Sequence, residues 1–133
     1  KMSCFIKFRI VWNIFFSKNM PEFIFGIEIC EDLWVTDSPS IMLAKEGANI
    51  IVNLSASNDI IGKSDYRRII VKAQSGSLLC TYMYANAGIG ESTTDMVYSG
   101  HSIISENGAL SVESERFSNG ILIYFSFSIN DDF

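Results

Sequence analysis

The chain is poor in the residues that staple or break a fold. Of its 133 residues three are cysteine, two proline and one histidine. Cys4, Cys30 and Cys80 form an odd, sparse set, which does not read as a disulfide framework and points to a reducing compartment, the cytoplasm. No apolar run reaches the roughly 20 residues that a membrane helix needs, so no membrane partner is expected. No group of His, Cys, Asp or Glu has metal-ligand spacing, and no metal is expected. Acids are missing from residues 1 to 20, which carry Lys1, Lys7, Arg9 and Lys18. The remainder is acidic enough to bring the formal net charge to −5, which removes the electrostatic case for nucleic acid.

Apolar residues, by contrast, are plentiful. They make up 48% of the chain, ten of them Phe, which is ample for the core of one domain and too much for a disordered segment. "FRIVWNIFF" after basic residues has the look of a signal h-region. However, "SKNMPEF" follows it in place of a small-residue cleavage site, and a strand is the better reading.

Residues 22–30 read as a strand. "TDSPSIMLAKEGA" reads as a short helix with Ser38 as N-cap, Pro39 in the first position and Gly47 as the stop. "NIIVNLS" is a second buried strand. "ASNDIIGKSD" is a polar loop, after which Asp65 is placed to cap the helix "YRRIIVKAQSGSLL", with Ile69, Ile70, Ala73 and Ser77 along its apolar face. "CTYMYAN" is a third strand, and "AGIGESTTD" a loop. Asn107-Gly108 in "HSIISENGALSVES" predicts a hairpin, because both residues tolerate positive φ. "GILIYFSFSI" is a last strand. Alternating strands and helices predict an α/β sheet with helices on one face. The strands are too apolar to leave the second face wet, so another sheet or another subunit is expected to cover it.

The chemistry concentrates in "GIEICEDLW", Gly26 to Trp34. A thiol stands among three acids where a buried strand ends. Carboxylates beside a thiol disfavour the thiolate, so Cys30 is either an inert buried cysteine or is activated by a base from elsewhere in the fold.

"GIEICEDLW", "NLSASN", "GKSDYRR", "YANAGIGESTTD" and "SENGALSVESERF" together resemble the glutaminase domain of glutamine-dependent NAD synthetases. That domain is part of the nitrilase, or carbon–nitrogen hydrolase, superfamily. The likeness runs from about Trp12 to Ile129 and is strongest from Gly26 to Phe117. Residues 1–11 match nothing and are set apart as a leader. The resemblance implies part of a four-layer α-β-β-α sandwich, and it corresponds to the C-terminal half of the domain (residues 12–133).

It further implies that Cys30 is the nucleophile that hydrolyses the glutamine side-chain amide, releasing ammonia for NAD synthesis. The Glu31 backbone N–H is implied as an oxyanion donor. Glu31 and Ser57 are implied as binders of glutamine's amino-acid end, and Lys63 as the cation meeting its α-carboxylate. The family's glutamate base and lysine lie upstream of the nucleophile, and Lys1, Lys7 and Lys18 do not sit in that lysine motif. Glu22 and Glu28 lie too near Cys30 on one strand to replace the base. The synthetase domain, with its need for ATP and Mg, is not part of this sequence, so no cofactor is expected here. The expected partners are glutamine, the synthetase domain and further copies of the chain, and the chain alone is expected to be inactive. Two alternatives stand beside this: an amidase acting on another small amide, and a non-catalytic structural or interaction module.

Asp32 is expected to be structural, as are Cys4 and Cys80. Tyr66, Arg67 and Arg68 read as a helix start with a structural or subunit-contact role. Glu91 reads as a turn residue, and His101, with nothing to pair with, as non-catalytic.

Overall fold

The computed structural model describes residues 4–6 and 14–119. Within them seven strands form one sheet in chain order: β1 (Cys4–Ile6), β2 (Ile14–Ser17), β3 (Ile24–Ile29), β4 (Ile50–Ser55), β5 (Thr81–Asn86), β6 (Ile103–Glu106) and β7 (Ala109–Glu113). The central three, β3, β4 and β5, run parallel, and the outer pairings on each side are antiparallel. Each parallel step is made through a helix, as parallel neighbours require. These are α1 (Pro39–Lys45) between β3 and β4, and α2 (Lys63–Leu78) between β4 and β5.

Sheet register decides which side chains meet the helices. Gly26, Ile51, Tyr82 and Ser105 stand side by side across β3 to β6, as do Glu28, Asn53, Tyr84 and Ile103. All eight are buried. Of these, Ile51, Tyr82, Tyr84 and Ile103 join Leu43 of α1 and Val71 of α2 in the hydrophobic core. Gly26 lets α1 approach closely, since a Cβ there would lie 2.8 Å from Leu43 Cδ1. The predicted hairpin is present, with φ of 48° at Asn107 and 85° at Gly108. Its turn packs on α2, where a Cβ on Gly76 would come within 3.2 Å of Gly108 Cα.

Among the described residues no helix covers the opposite face of the sheet. Phe25, Ile27, Val52, Met83 and Ile104 are half-buried there, while Ile29 and Leu54 are 63% and 52% exposed. The expectation of helices on one face of an apolar sheet therefore holds among the described residues.

Three local expectations need correction. Asp65 does not cap α2: the helix starts at Lys63 after Gly62, and Asp65 lies in its first turn, where it pairs with Arg68 at 2.5 Å. The buried face of α2 lies elsewhere: of the four residues expected along it, Ile70 alone packs, half-buried, against the core. Ile69 is 62% exposed and Ala73 and Ser77 are exposed, whereas Ser64, Arg67, Val71 and Ser75 are buried. The reason is a buried polar network that takes Arg67 inward and so rotates the helix. Ser38 holds the N-cap position of α1, but its hydroxyl makes no capping bond and donates to Glu28 instead. Gly47, at φ 98°, ends α1 as expected. The last strand expected over residues 120–129 lies outside the described residues.

Candidate active site

β3 ends at Ile29, and the chain turns at once into a 3-10 helix, Cys30–Trp34. Cys30 has φ 50°, a left-handed conformation that costs a residue with a Cβ about 1–3 kcal/mol. Such a cost persists only where the surroundings impose it. Here the Ile29 N–H donates to Asp32 Oδ2 at 2.7 Å, and Asn53 Nδ2 donates to the Cys30 carbonyl at 3.4 Å. Leu33 is buried in the core, and Trp34 stacks on Tyr66 of α2. The result is a half-buried thiol on a sharp turn at the C-terminal end of a parallel strand, the end at which open α/β sheets bind ligands. Asp32 acts as the structural acid it was expected to be.

The neighbouring parallel strand carries Ser57 to the same end of the sheet. Ser57 is buried; its N–H donates to Asn86 Oδ1 at 2.8 Å, and its carbonyl accepts from Asn86 Nδ2 at 2.9 Å. This reciprocal pair fixes the loop after β4 against the end of β5. Lys63 opens α2, donates from Nζ to Asn58 Oδ1 at 2.8 Å and lies 5.8 Å from the Trp34 ring centroid. Burial holds its ammonium below the usual range, and Arg67 pushes the same way. Asp59 and Cys30 oppose them, which places Lys63 within electrostatic reach of the Cys30 turn. Glu31, next to Cys30, is exposed. Cys80 is a different thiol, since burial and the Glu28 charge push it up to about 12, and it is a poor nucleophile. The side chain of Cys4 lies outside the described residues.

Two polar networks were not read from the sequence. Glu28, two residues before Cys30, is buried with a full set of donors. Its Oε2 accepts from the Ser38 hydroxyl and the Ser40 N–H, each at 2.9 Å, and its Oε1 from the Tyr82 hydroxyl and from Asn53 Nδ2 at 3.5 Å. Burial first and the Glu28 charge second push the Tyr82 phenol well above its ordinary range. The sequence signal was a Glu and an Asn inside otherwise apolar strands, where an unpaired polar group would be costly.

The second network joins Arg67, His101 and Glu113. Arg67 Nη1 lies 2.8 Å from His101 Nδ1, and His101 Nε2 lies 2.6 Å from Glu113 Oε1. Because arginine only donates, Nδ1 must accept, and the histidine proton sits on Nε2, pointing at Glu113. Among the described residues no group of three or more His, Cys, Asp or Glu is placed to hold a metal ion, and no helix is long and apolar enough to cross a membrane.

No family model matches the chain. Individual proteins do. A glutamine-dependent NAD(+) synthetase of Mycobacterium tuberculosis is 44% identical over 108 residues, 81% of this chain and 16% of that protein. The Homo sapiens protein of the same name is 32% identical over 93 residues, 70% of this chain and 13% of that one. The chain thus spans about a sixth of the length of the mycobacterial relative. Among solved structures, a glutamine-dependent NAD(+) synthetase from Cytophaga hutchinsonii superposes with a TM-score of 0.66 at 29% identity, covering 89% of this chain and 19% of that one. A Nesterenkonia amidase of the nitrilase superfamily shares the fold, with a TM-score of 0.65 at 17% identity, covering 84% of this chain and 40% of its own. By sequence the chain belongs to the family of the glutamine-dependent NAD(+) synthetases, and its fold is one shared with nitrilase-superfamily proteins.

Proposed function

We propose that this chain is the nucleophile-bearing half of a glutaminase domain, and that the full-length protein hydrolyses glutamine to supply ammonia for NAD synthesis. The observation that supports this most is the conformation of Cys30. A thiol held at left-handed φ on a turn, with Ser57 and Lys63 at the same end of the sheet, is an expensive arrangement for a structural cysteine.

In this reading the Cys30 thiol gives its proton to a glutamate base supplied by the upstream segment, and the sulfur attacks the side-chain amide carbon. The carbonyl π electrons move to oxygen, and the Glu31 N–H, early in the 3-10 turn and so without an acceptor inside it, stabilises that oxyanion. Collapse breaks the C–N bond. The base returns its proton to nitrogen, ammonia leaves, and water hydrolyses the Cys30 thioester to glutamate. Lys63 meets the α-carboxylate, while Glu31 and Ser57 meet the α-ammonium end. No cofactor takes part in this half; ATP and Mg serve the synthetase part, which is the partner for the ammonia. A cytoplasmic site fits the free thiols of Cys30 and Cys80. The apolar open face fits a role for the remaining half of the sandwich, and self-association where that half is missing.

The test is covalent trapping. A diazoketone analogue of glutamine, incubated with the full-length protein, should leave one adduct, found by peptide mass spectrometry on Cys30 and prevented by excess glutamine. Labelling of another residue, or none, contradicts the proposal.

A further inference from the structure

Resting on that reading, we infer that Asn53, braced by Glu28, is the positioning residue that aims the oxyanion-binding N–H of Glu31. The argument starts from the peptide bond between Cys30 and Glu31. The described residues contain no cis peptide. In a planar trans peptide the C=O of one residue and the N–H of the next point in opposite directions. Whatever grips the Cys30 carbonyl therefore sets the direction of the Glu31 N–H. Besides the backbone bond it accepts inside the 3-10 helix, this carbonyl is gripped by a side chain, Asn53 Nδ2, at 3.4 Å.

Asn53 is itself over-determined. It stands opposite Glu28 in the parallel register of β3 and β4, and both side chains are buried. Its Nδ2 also donates to Glu28 Oε1 at 3.5 Å, and its Oδ1 accepts from the Ser55 hydroxyl at 2.7 Å. Turning the amide over would set Oδ1 against both the Glu28 carboxylate and the Cys30 carbonyl, three acceptors facing one another without a donor. Only one orientation works, and it presents an N–H to Cys30. Glu28 in turn is fixed by Ser38, Ser40 and Tyr82, from α1 and β5. Two long bonds to one amide are weak individually, but their common donor is clamped on every side. The carboxylate that lies too close to Cys30 along the strand to act as its base thus has another task, holding the turn from beneath.

The consequence is kinetic. An oxyanion contact exists in the transition state and not in bound glutamine, so losing its alignment lowers kcat and leaves KM in place. The experiment compares Asn53→Ala, Asn53→Ser and Cys30→Ala with wild type in the full-length protein. Val71→Ala serves as a core substitution away from the turn, and all are assayed well below their melting temperatures. For both Asn53 variants kcat for glutamine should fall roughly 10- to 1,000-fold, the scale of a weakened or lost oxyanion donor. KM should stay within about threefold, and so should the rate of Cys30 alkylation by iodoacetamide, a displacement that forms no oxyanion. Val71→Ala should lose stability and keep kcat. Should Asn53→Ala fail to fold, Asn53→Ser carries the comparison, because its hydroxyl is too short to reach the Cys30 carbonyl. If Cys30→Ala abolishes hydrolysis while both Asn53 variants keep wild-type kcat, the positioning role is wrong and the glutaminase reading stands. If Asn53 variants lose kcat and alkylation in parallel, the residue merely maintains the fold, and the inference is overturned. Retained hydrolysis in Cys30→Ala overturns the underlying reading itself.

Discussion

Trp34 and Tyr66 lie face to face, with ring centroids 5.4 Å apart and 21° between their planes. One ends the 3-10 turn that begins with Cys30, and the other belongs to the first turn of α2, which begins with Lys63. The stack therefore ties the Cys30 turn to the candidate carboxylate-binding lysine, and Lys63 Nζ rests 5.8 Å from the Trp34 ring centroid. A charge-assisted contact to a carboxylate that does not react contributes equally to bound glutamine and to its transition state. Lys63→Ala should accordingly raise KM by the equivalent of about 1.5–3 kcal/mol and leave kcat nearly unchanged. Steady-state kinetics with glutamine check this, and an unchanged KM would mean that Lys63 serves only Asn58 and Trp34.

The Arg67–His101–Glu113 network makes a prediction about pH. Burial lowers the affinity of His101 for a proton and Arg67 adds to that; the hydrogen bond to Glu113 opposes them, and the net direction is below 6.5. The folded protein then binds fewer protons than the unfolded chain between the two values, so stability rises with pH there. The contribution is complete above pH 6.5 and is lost as pH falls from 6.5 toward the folded value. Glu113 is also held below its ordinary range: burial acts to raise it, and the bonds from Arg68 and His101 outweigh burial. Its contribution disappears only on further acidification, below about 4.5. Urea unfolding at pH 7.5 and 5.5 should show lower stability at the acid value for wild type and a smaller difference for His101→Gln. Equal differences in both would remove His101 as the cause.

The strands and the hairpin were legible because their signals are local. Asn107-Gly108 fixes its own turn, and the apolar runs of β4 and β5 need no distant partner to be read. The face of α2 was not legible. Arg67, the residue hydropathy would put outside, is buried beside His101, 34 positions away, and the placement of Ile69 outside follows from that. The site divides in the same way. Cys30 and Lys63 stand out in motifs, whereas the left-handed φ of Cys30, with Asn53 on its carbonyl and Asp32 on the Ile29 N–H, has no motif of its own. Glu28 looked like one more acid near the thiol. Only the register that sets it beside Asn53, and within reach of Tyr82, reveals a buried acceptor of four hydrogen bonds.

The uncovered side of the sheet predicts how these 133 residues behave when expressed alone. Ile29 and Leu54 are largely exposed amid half-buried Ile27, Val52 and Met83, an apolar surface of the kind that drives association. On the proposed reading the base lies on an upstream segment, and its removal costs roughly 100- to 10,000-fold in rate. Light scattering should find self-associated or poorly soluble material, and an ammonia-release assay should find no glutamine hydrolysis. A soluble monomer with enzyme-like turnover would contradict both expectations at once.

The most direct test of the central claim is the nitrogen-source dependence of Cys30→Ala in the full-length protein. NAD formation is measured with glutamine and, separately, with ammonium as the nitrogen donor. The account predicts that glutamine-dependent synthesis and glutamine hydrolysis disappear while ammonium-dependent synthesis continues at the wild-type rate. Glutamine hydrolysis persisting in Cys30→Ala would contradict it.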